Sequence, residues 1–237
     1  MNAVLIEDLG LIDYKACWDY QEGINQKIVA VKSELRKHPE SGIEIPAHRL
    51  LFCEHPLVFT LGKSGNESNL LLNDAELEEG NFSYYKINRG GDITHHGPGQ
   101  LVMYPIFDLE QFFTDIHKFL RFLEEAVILT LAEFGIIAGR FPSYTGVWID
   151  AEHPTKARKI CAMGIRCSRW VTMHGIALNV NNDLSPFDHI IPCGIDDKSV
   201  TSMARELGED VPIELVKSRL SHQMEHIFQF KAIEGGK

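Results

Sequence analysis

Arg89-Gly90-Gly91-Asp92-Ile93-Thr94-His95-His96-Gly97-Pro98-Gly99-Gln100-Leu101-Val102-Met103-Tyr104 is the stretch on which the reading of this chain turns. A strand-like segment, Tyr84 to Ile87, precedes it, and it runs into another, Leu101 to Phe107. Four glycines and a proline therefore sit between two apolar strands. Glycine permits positive φ and close backbone approach, so this is a turn built to come near something. It presents a guanidinium, a hydroxyl, two imidazoles and an amide. A Gly-rich hairpin with incidental polar residues would explain Gly90-Gly91 alone, but explains the whole string poorly.

Outward from this stretch, Val58-Phe59-Thr60-Leu61 and Leu50-Leu51-Phe52 read as strands joined through His55-Pro56 and closed by Gly62, and Lys63 to Gly80 as a polar loop over the site. From Tyr14, apolar Cys17, Ile24, Ile28, Val31 and Leu35 recur at helical spacing, and the pattern stops before Pro39. Val4-Leu5-Ile6 is a short strand. On the other side, Phe112, Ile116, Leu120, Leu123, Val127 and Leu131 predict a helix over Leu109 to Phe134 that Gly135 ends. Tyr144 to Ile149 and Lys159 to Arg166 form a predicted hairpin, Met173 to Val180 another strand, and Pro212 opens a last helix carrying Ile213, Val216, Leu220 and Ile227. Hairpins dominate the middle, which predicts a single α/β (α+β) domain over residues 1–237, its sheet mainly antiparallel and flanked by helices.

Composition narrows the function. With 237 residues, 44% hydrophobic and 24% charged, the chain can bury one substantial core. It has no apolar run long enough to span a membrane. Met1 to Gly10 carries Glu7 and Asp8 and lacks a basic leader, so a cytoplasmic protein with no membrane partner is expected. The net charge of −10 argues against nucleic acid as a partner. The cysteines, Cys17, Cys53, Cys161, Cys167 and Cys193, form no Cys-x-x-Cys pair. Reduced thiols are expected, with neither a disulfide framework nor a metal site.

Two residues invite chemistry. Cys193 stands in Ile191-Pro192-Cys193-Gly194, where proline fixes φ and glycine frees it, so a turn can hold the thiol in a cleft with backbone N–H groups nearby. A cysteine by itself reads equally as a small buried hydrophobe. Lys159 opens an apolar strand, which suits a strand edge or a working amine. A thiol of pKa ~8.5 is only a few per cent thiolate at neutral pH, and an adjacent amine or ammonium raises that fraction. To act as a base the lysine must lose ~3 pKa units, about 4 kcal/mol, which desolvation against Ile160 and Met163 can supply.

The stretch Arg89 to Tyr104, with Lys159 to Arg166, Thr172 to Val180, Asp183-Leu184 and Pro192 to Ile195, resembles the lipoyl(octanoyl) transferases, over about Cys53 to Gly208. The resemblance implies the biotin and lipoate protein ligase fold and transfer of an octanoyl or lipoyl group from acyl carrier protein to a lysine of lipoyl domains. Those acceptors would be E2 subunits of 2-oxo acid dehydrogenases and the glycine cleavage H protein. It further implies a ping-pong route: Cys193 takes the acyl group as a thioester, the acceptor lysine attacks, and Lys159 takes the proton. Thioester to amide runs downhill, so no ATP or other cofactor is implied. Arg89, Gly90, Gly91, Asp92, Ile93, Thr94, His95 and His96, with Ala162, Met163, Gly164, Gly175, Ile176 and Ala177, match the segments that surround the acyl chain. Thr60, Leu61 and Gly62 match a further lining run. His96 and His174 match positions near the reacting thioester, with His96 orienting Lys159 or the oxyanion or serving as a structural histidine. His95 stands where an aromatic residue is usual, and Asp92 where the family varies. At ~0.8 kcal/mol per buried methylene, six methylenes contribute about 5 kcal/mol, so pocket depth can set chain length.

Three other readings stay open at this point: an ATP-dependent lipoate ligase of the same fold, a non-catalytic module that binds lipoyl domains or acyl carrier protein, and a thioester hydrolase. Lys156, Arg158, Lys159, Arg166 and Arg169 also form a cationic cluster in an acidic chain, expected either to steer acyl carrier protein to the cleft or to be a solvated hairpin.

Overall fold

The structure is a computed structural model that describes residues 2–191 and 199–234. In chain order its main elements are β1 (Asn2–Leu11), α1 (Tyr14–Lys37), β2 (His48–Glu54), β3 (Val58–Leu61), α2 (Asp74–Glu79), β4 (Ser83–Lys86), β5 (Ile93–His96) and β6 (Gln100–Ile106). Then follow α3 (Ile116–Glu133), β7 (Ala138–Phe141), β8 (Tyr144–Ile149), β9 (Arg158–Ser168), β10 (Val171–Asn179), β11 (Ser199–Val200), α4 (Met203–Leu207), α5 (Ile213–Phe228) and β12 (Phe230–Glu234). The large sheet runs β12-β1-β2-β6-β10-β9-β8-β7, with β11 beside β9, and a small sheet runs β4-β3-β5. From β2 to β7 every neighbour on the large-sheet path is antiparallel, as the hairpin pattern predicts. Parallel pairing enters where β1 meets β2 and β12, and where β11 lies beside β9.

The central strands are buried along their whole length, β6 and β10 in every residue. A strand covered on both faces need not alternate polar and apolar positions, and Leu101-Val102-Met103-Tyr104 does not. On one face α3 and α5 place Phe119, Leu123, Val127, Leu220, Met224 and Phe228 against Leu101, Met103, Ile176 and Leu178. Fully burying one such side chain gains about 1.5–3 kcal/mol. On the other face α1 sets Cys17, Ile24 and Ile28 against Leu51, Val102, Tyr104 and Ile106.

Local signals explain the element ends. The side chain of Asp13 accepts from the Ala16 N–H to start α1. The Asp115 side chain accepts from Lys118 N–H, so α3 begins at Ile116 rather than at the predicted Leu109. Leu109–Gln111 is instead a 3-10 turn, and Phe112 and Phe113 pack on the core from outside the helix. The apolar period continues across Asp115 because both segments face the same core. Lys63 to Gly80 is not wholly loop: it holds the 3-10 turn Glu67–Asn69 and α2, which a capping box between Asn73 and Glu76 starts. β2 and β3, predicted as neighbours, belong to different sheets. β5 lies inside the Gly-rich stretch and pairs antiparallel with β3, Thr94 opposite Thr60.

A buried ion pair fixes α1 to the sheet. Lys32, 5% exposed, meets the carboxylate of Asp108, 1% exposed, and its ammonium also donates to the Arg169 carbonyl at 2.9 Å and lies 3.1 Å from Glu110. Removing one partner strands the other charge in the interior. Asp108→Ala should lower the unfolding free energy by about 3–5 kcal/mol in urea titrations, and the Lys32→Met/Asp108→Leu double variant should lose clearly less.

Candidate active site

A cavity of about 580 Å³ runs between the Gly-rich turn with β5 and strands β8, β9 and β10. Its wall includes Arg89, Gly90, Gly91, Asp92, Ile93, Thr94, His96, Lys159, Ala162, Met163, Gly164, Gly175, Ile176 and Ala177. All of these are residues that the sequence placed at the site. His95 is the exception. Strand alternation turns its ring away from the cavity, between Phe59 at 5.1 Å and Phe187 at 5.5 Å. It fills the core of the small sheet, the packing role that an aromatic residue would take there. Cys193 lies outside the described residues. Tyr14, Tyr144, Trp148, Phe187 and Val200 also line the cavity. Nothing in the local pattern announces them, because they reach it only through the tertiary fold.

Arg89 organises the turn. Its guanidinium is buried, 7% exposed. Nη2 donates to the Thr60 carbonyl at 2.6 Å and to Thr60 Oγ1 at 2.9 Å, and Nη1 donates to the Gly90 carbonyl at 3.1 Å. Thr60 thus holds Arg89 and does not itself line the cavity, nor do Leu61 and Gly62. The Gly90 N–H donates to the Ile165 carbonyl at 2.9 Å, tying the turn to β9. Such an approach needs Gly164, since a Cβ there would lie 2.7 Å from the Gly90 oxygen and 3.0 Å from Arg89 Cδ. Opposite it in the ladder stands Gly175, where a Cβ would lie 2.1 Å from the Met103 carbonyl oxygen.

The imidazoles near the turn are held neutral. The Gln100 amide donates to the His95 carbonyl and to Asn179 Oδ1, so its oxygen accepts from His96 Nδ1–H at 2.8 Å and leaves a lone pair on His96 Nε2. His174 Nε2–H donates to Asn88 Oδ1 at 3.0 Å. His55 Nδ1–H donates to the Ile12 carbonyl at 2.8 Å, and its Nε2 accepts from Tyr104 Oη–H at 2.9 Å. Burial pushes His55 down to about 4 and His95 to about 4. Burial, with the cations Arg89 and Arg166, pushes His174 to about 3. His96 is also driven well below the usual range by burial and by its neighbour His55.

Lys159 stands at the other end of β9. Its ammonium lies 4.7 Å from the centre of the Trp148 ring, and its carbonyl accepts from the Thr201 N–H. In the β9–β10 ladder His174 pairs with Ile165, so His174 is on the order of 20 Å along the strands from Lys159. The resemblance places His174 near the reacting thioester of Cys193, a residue outside the described ones. The hydrogen bond of His96 goes to Gln100, not to Lys159. In the cationic cluster Lys156 and Arg169 are exposed, while Arg158 and Arg166 are held in ion pairs. Arg158 lies between Asp150 and Glu206, and Arg166 pairs with Glu22 at 2.9 Å.

Comparison with known proteins decides the family. Residues 22–225 match the model of the lipoyl protein ligase A/B catalytic domain. The chain belongs to that family. Among family relatives, the octanoyltransferase of Cytophaga hutchinsonii is 57% identical over 228 residues, covering 96% of this chain and 93% of the relative. The octanoyltransferase of Flavobacterium johnsoniae is 56% identical, covering 97% and 98%, and that of Bacteroides thetaiotaomicron 46% identical, covering 98% and 97%. Among solved structures of the same fold, lipoate-protein ligase A bound with ATP superposes with a TM-score of 0.65 at 16% identity, covering 100% of this chain and 90% of the other. The bi-partite lipoate protein ligase of Thermoplasma acidophilum gives 0.66 at 16%, covering 100% and 87%. Fold class and family both agree with the resemblance drawn from the motifs.

The histidines make a pH prediction for this family member. Each folded pKa lies below the ~6.5 of an unfolded histidine, so between pH 6.5 and about 4 the unfolded chain binds protons that the folded chain refuses. Stability should therefore be full above pH 7 and fall with acidification. The slope is up to about 1.4 kcal/mol per pH unit for each such histidine, read from urea midpoints between pH 7.5 and 4.5. His95→Phe should flatten it.

Proposed function

We propose that the chain is an octanoyltransferase of protein lipoylation, moving an octanoyl group from acyl carrier protein to a lysine of lipoyl domains through a thioester on Cys193. The observation that carries this reading is a mostly apolar cavity with Lys159 near its exposed rim. Ser143, Thr145 and Ser199, exposed residues, line that end. The other end is closed by buried Tyr14, His96, Tyr104 and His174. A carrier-borne thioester can enter at the rim, and its hydrocarbon tail gains burial inside.

On this reading the Cys193 thiolate attacks the thioester carbonyl, the carrier thiol leaves, and the acyl group stays on sulfur. The acceptor amine then attacks, the amide forms, the Cys193 thiolate leaves, and Lys159 handles the proton that the amine sheds. E2 subunits of 2-oxo acid dehydrogenases and the glycine cleavage H protein are the proposed acceptors. The relatives' shared name favours transfer over the ATP-dependent ligase, the thioester hydrolase and the non-catalytic module.

The test is intact mass after incubation with octanoyl acyl carrier protein and no ATP. One octanoyl group should appear on the wild type, be absent from Cys193→Ser, and pass to an added lipoyl domain. Lys159→Met should lower the transfer rate by about 10²–10⁴-fold. Modification that appears only with ATP and free octanoate would instead make the protein a ligase.

A further inference from the structure

Cys53, on β2, packs beneath α1 beside Cys17, and His55, two residues on, turns to the same side. The ligand-type atoms of the three lie within 4.8 Å of one another, and Cys53 Sγ is 3.5 Å from His55 Nε2. All are buried, Cys17 at 0%, Cys53 at 2% and His55 at 0% exposure. Thiols alone would serve as small core hydrophobes, but polar groups surround these. His55 Nδ1–H is committed to the Ile12 carbonyl at 2.8 Å, which turns Nε2 toward the sulfurs, the way a ligating imidazole is held. The buried Gln21 amide donates to Cys17 Sγ at 3.8 Å. Tyr104 Oη lies 2.9 Å from His55 Nε2.

We propose that Cys17, Cys53 and His55 bind one zinc ion, which ties α1 to β2 behind the closed end of the cavity. Such a site departs from the absence of metal expected from cysteine spacing, which sees only Cys-x-x-Cys pairs. Zinc holds thiolate sulfur at about 2.3 Å and imidazole nitrogen at about 2.0–2.1 Å in a tetrahedron. A sulfur and a nitrogen so placed lie roughly 3.6 Å apart, and two sulfurs roughly 3.8 Å. The separation of 3.5 Å between Cys53 and His55 meets the first. Sulfurs within 4.8 Å need close by no more than about 1 Å to meet the second. The charges balance as well. Each thiol releases its proton to solvent, the imidazole binds as the neutral ring, and Zn²⁺ with two thiolates carries no net charge into the interior. A monovalent copper ion would leave one negative charge uncompensated there. Zinc takes the Nε2 lone pair that accepts from Tyr104, and Tyr104 Oη is then placed for the fourth position. The Gln21 amide supports the Cys17 thiolate from outside the ligand set. Tyr14 and Tyr104 also line the cavity, so an ion reaches the cluster from that side.

The test uses the full chain carrying Cys193→Ser and Cys167→Ser, which takes two other thiols out of competition. The reduced, chelator-treated protein is titrated with Zn²⁺ against a chromophoric chelator, and separately with Co²⁺. One equivalent should bind. The cobalt complex should show thiolate-to-cobalt charge-transfer absorption and the intense d–d bands of a tetrahedral ion, and zinc should raise the thermal midpoint by about 5 °C. Cys17→Ser, Cys53→Ser and His55→Asn should each weaken binding on the order of 100-fold or more and abolish that rise. Should a variant fail to fold, the cobalt spectrum of the parent still decides, because an octahedral spectrum without thiolate absorption overturns the site. A reduced protein that binds no zinc, or binding that survives all three substitutions, overturns it too.

Discussion

Everything at this site depends on two glycines facing each other, Gly164 on β9 and Gly175 on β10. Their missing side chains leave a gap in the sheet that is filled by backbone, the Met103 carbonyl pressing toward one glycine and the Gly90 carbonyl toward the other. Through that gap the Gly-rich turn docks on β9, and Arg89 reaches back to Thr60 in the small sheet. A methyl group at either position would collide with backbone that is itself held in the packed sheet. The cavity is therefore a product of close approach between two sheets rather than a hole left in one core. Its shape is as rigid as the hydrogen bonds that join them.

Arg89 is the member of this arrangement with the highest electrostatic stake. A buried guanidinium is tolerated because oxygen acceptors, Thr60 and the Gly90 carbonyl, surround it. Its charge in turn helps keep His174 neutral and also opposes protonation of His96. A neutral imidazole is both donor and acceptor, and the amide partners Gln100 and Asn88 choose which nitrogen carries the proton. One buried cation thus supports the turn mechanically and reinforces the effect of burial in keeping neutral the rings that close the pocket.

Much of this was readable from the residues, and the failures have definite causes. The helical periods of Tyr14 to Leu35 and of Ile116 to Leu131, and the hairpin strands flanking Asp150, are local signals and appear as such. The Gly-rich turn and the apolar run at Ala162 to Gly164 announced the site because glycines between strands have few other uses. What stayed hidden was non-local. The strand inside the turn, β5, exists only because β3 lies beside it. The outward face of His95 follows from that pairing. Cys17, distant in sequence from Cys53 and His55, brings its sulfur to them, so that ligand-type atoms of the three lie within 4.8 Å of one another. There the His55 Nε2 lone pair accepts from Tyr104. The ion pairs within the cationic cluster were hidden for a related reason: the counter-charges of Arg166 and Arg158, Glu22 and Glu206, come from elements that sequence spacing does not bring near.

The placement of Lys159 bears on how the proposed chemistry divides its labour. The Trp148 ring faces the lysine ammonium at 4.7 Å, and an aromatic face favours a cation by about 0.5–2 kcal/mol, more as water is removed. Desolvation in the cavity pulls the other way, toward the neutral amine. On the proposed route the ammonium suits an electrostatic partner for a thiolate, and the neutral amine suits acceptance of the proton from an attacking lysine. Two opposed effects therefore act on one amine, the ring favouring its charged form and desolvation its neutral one.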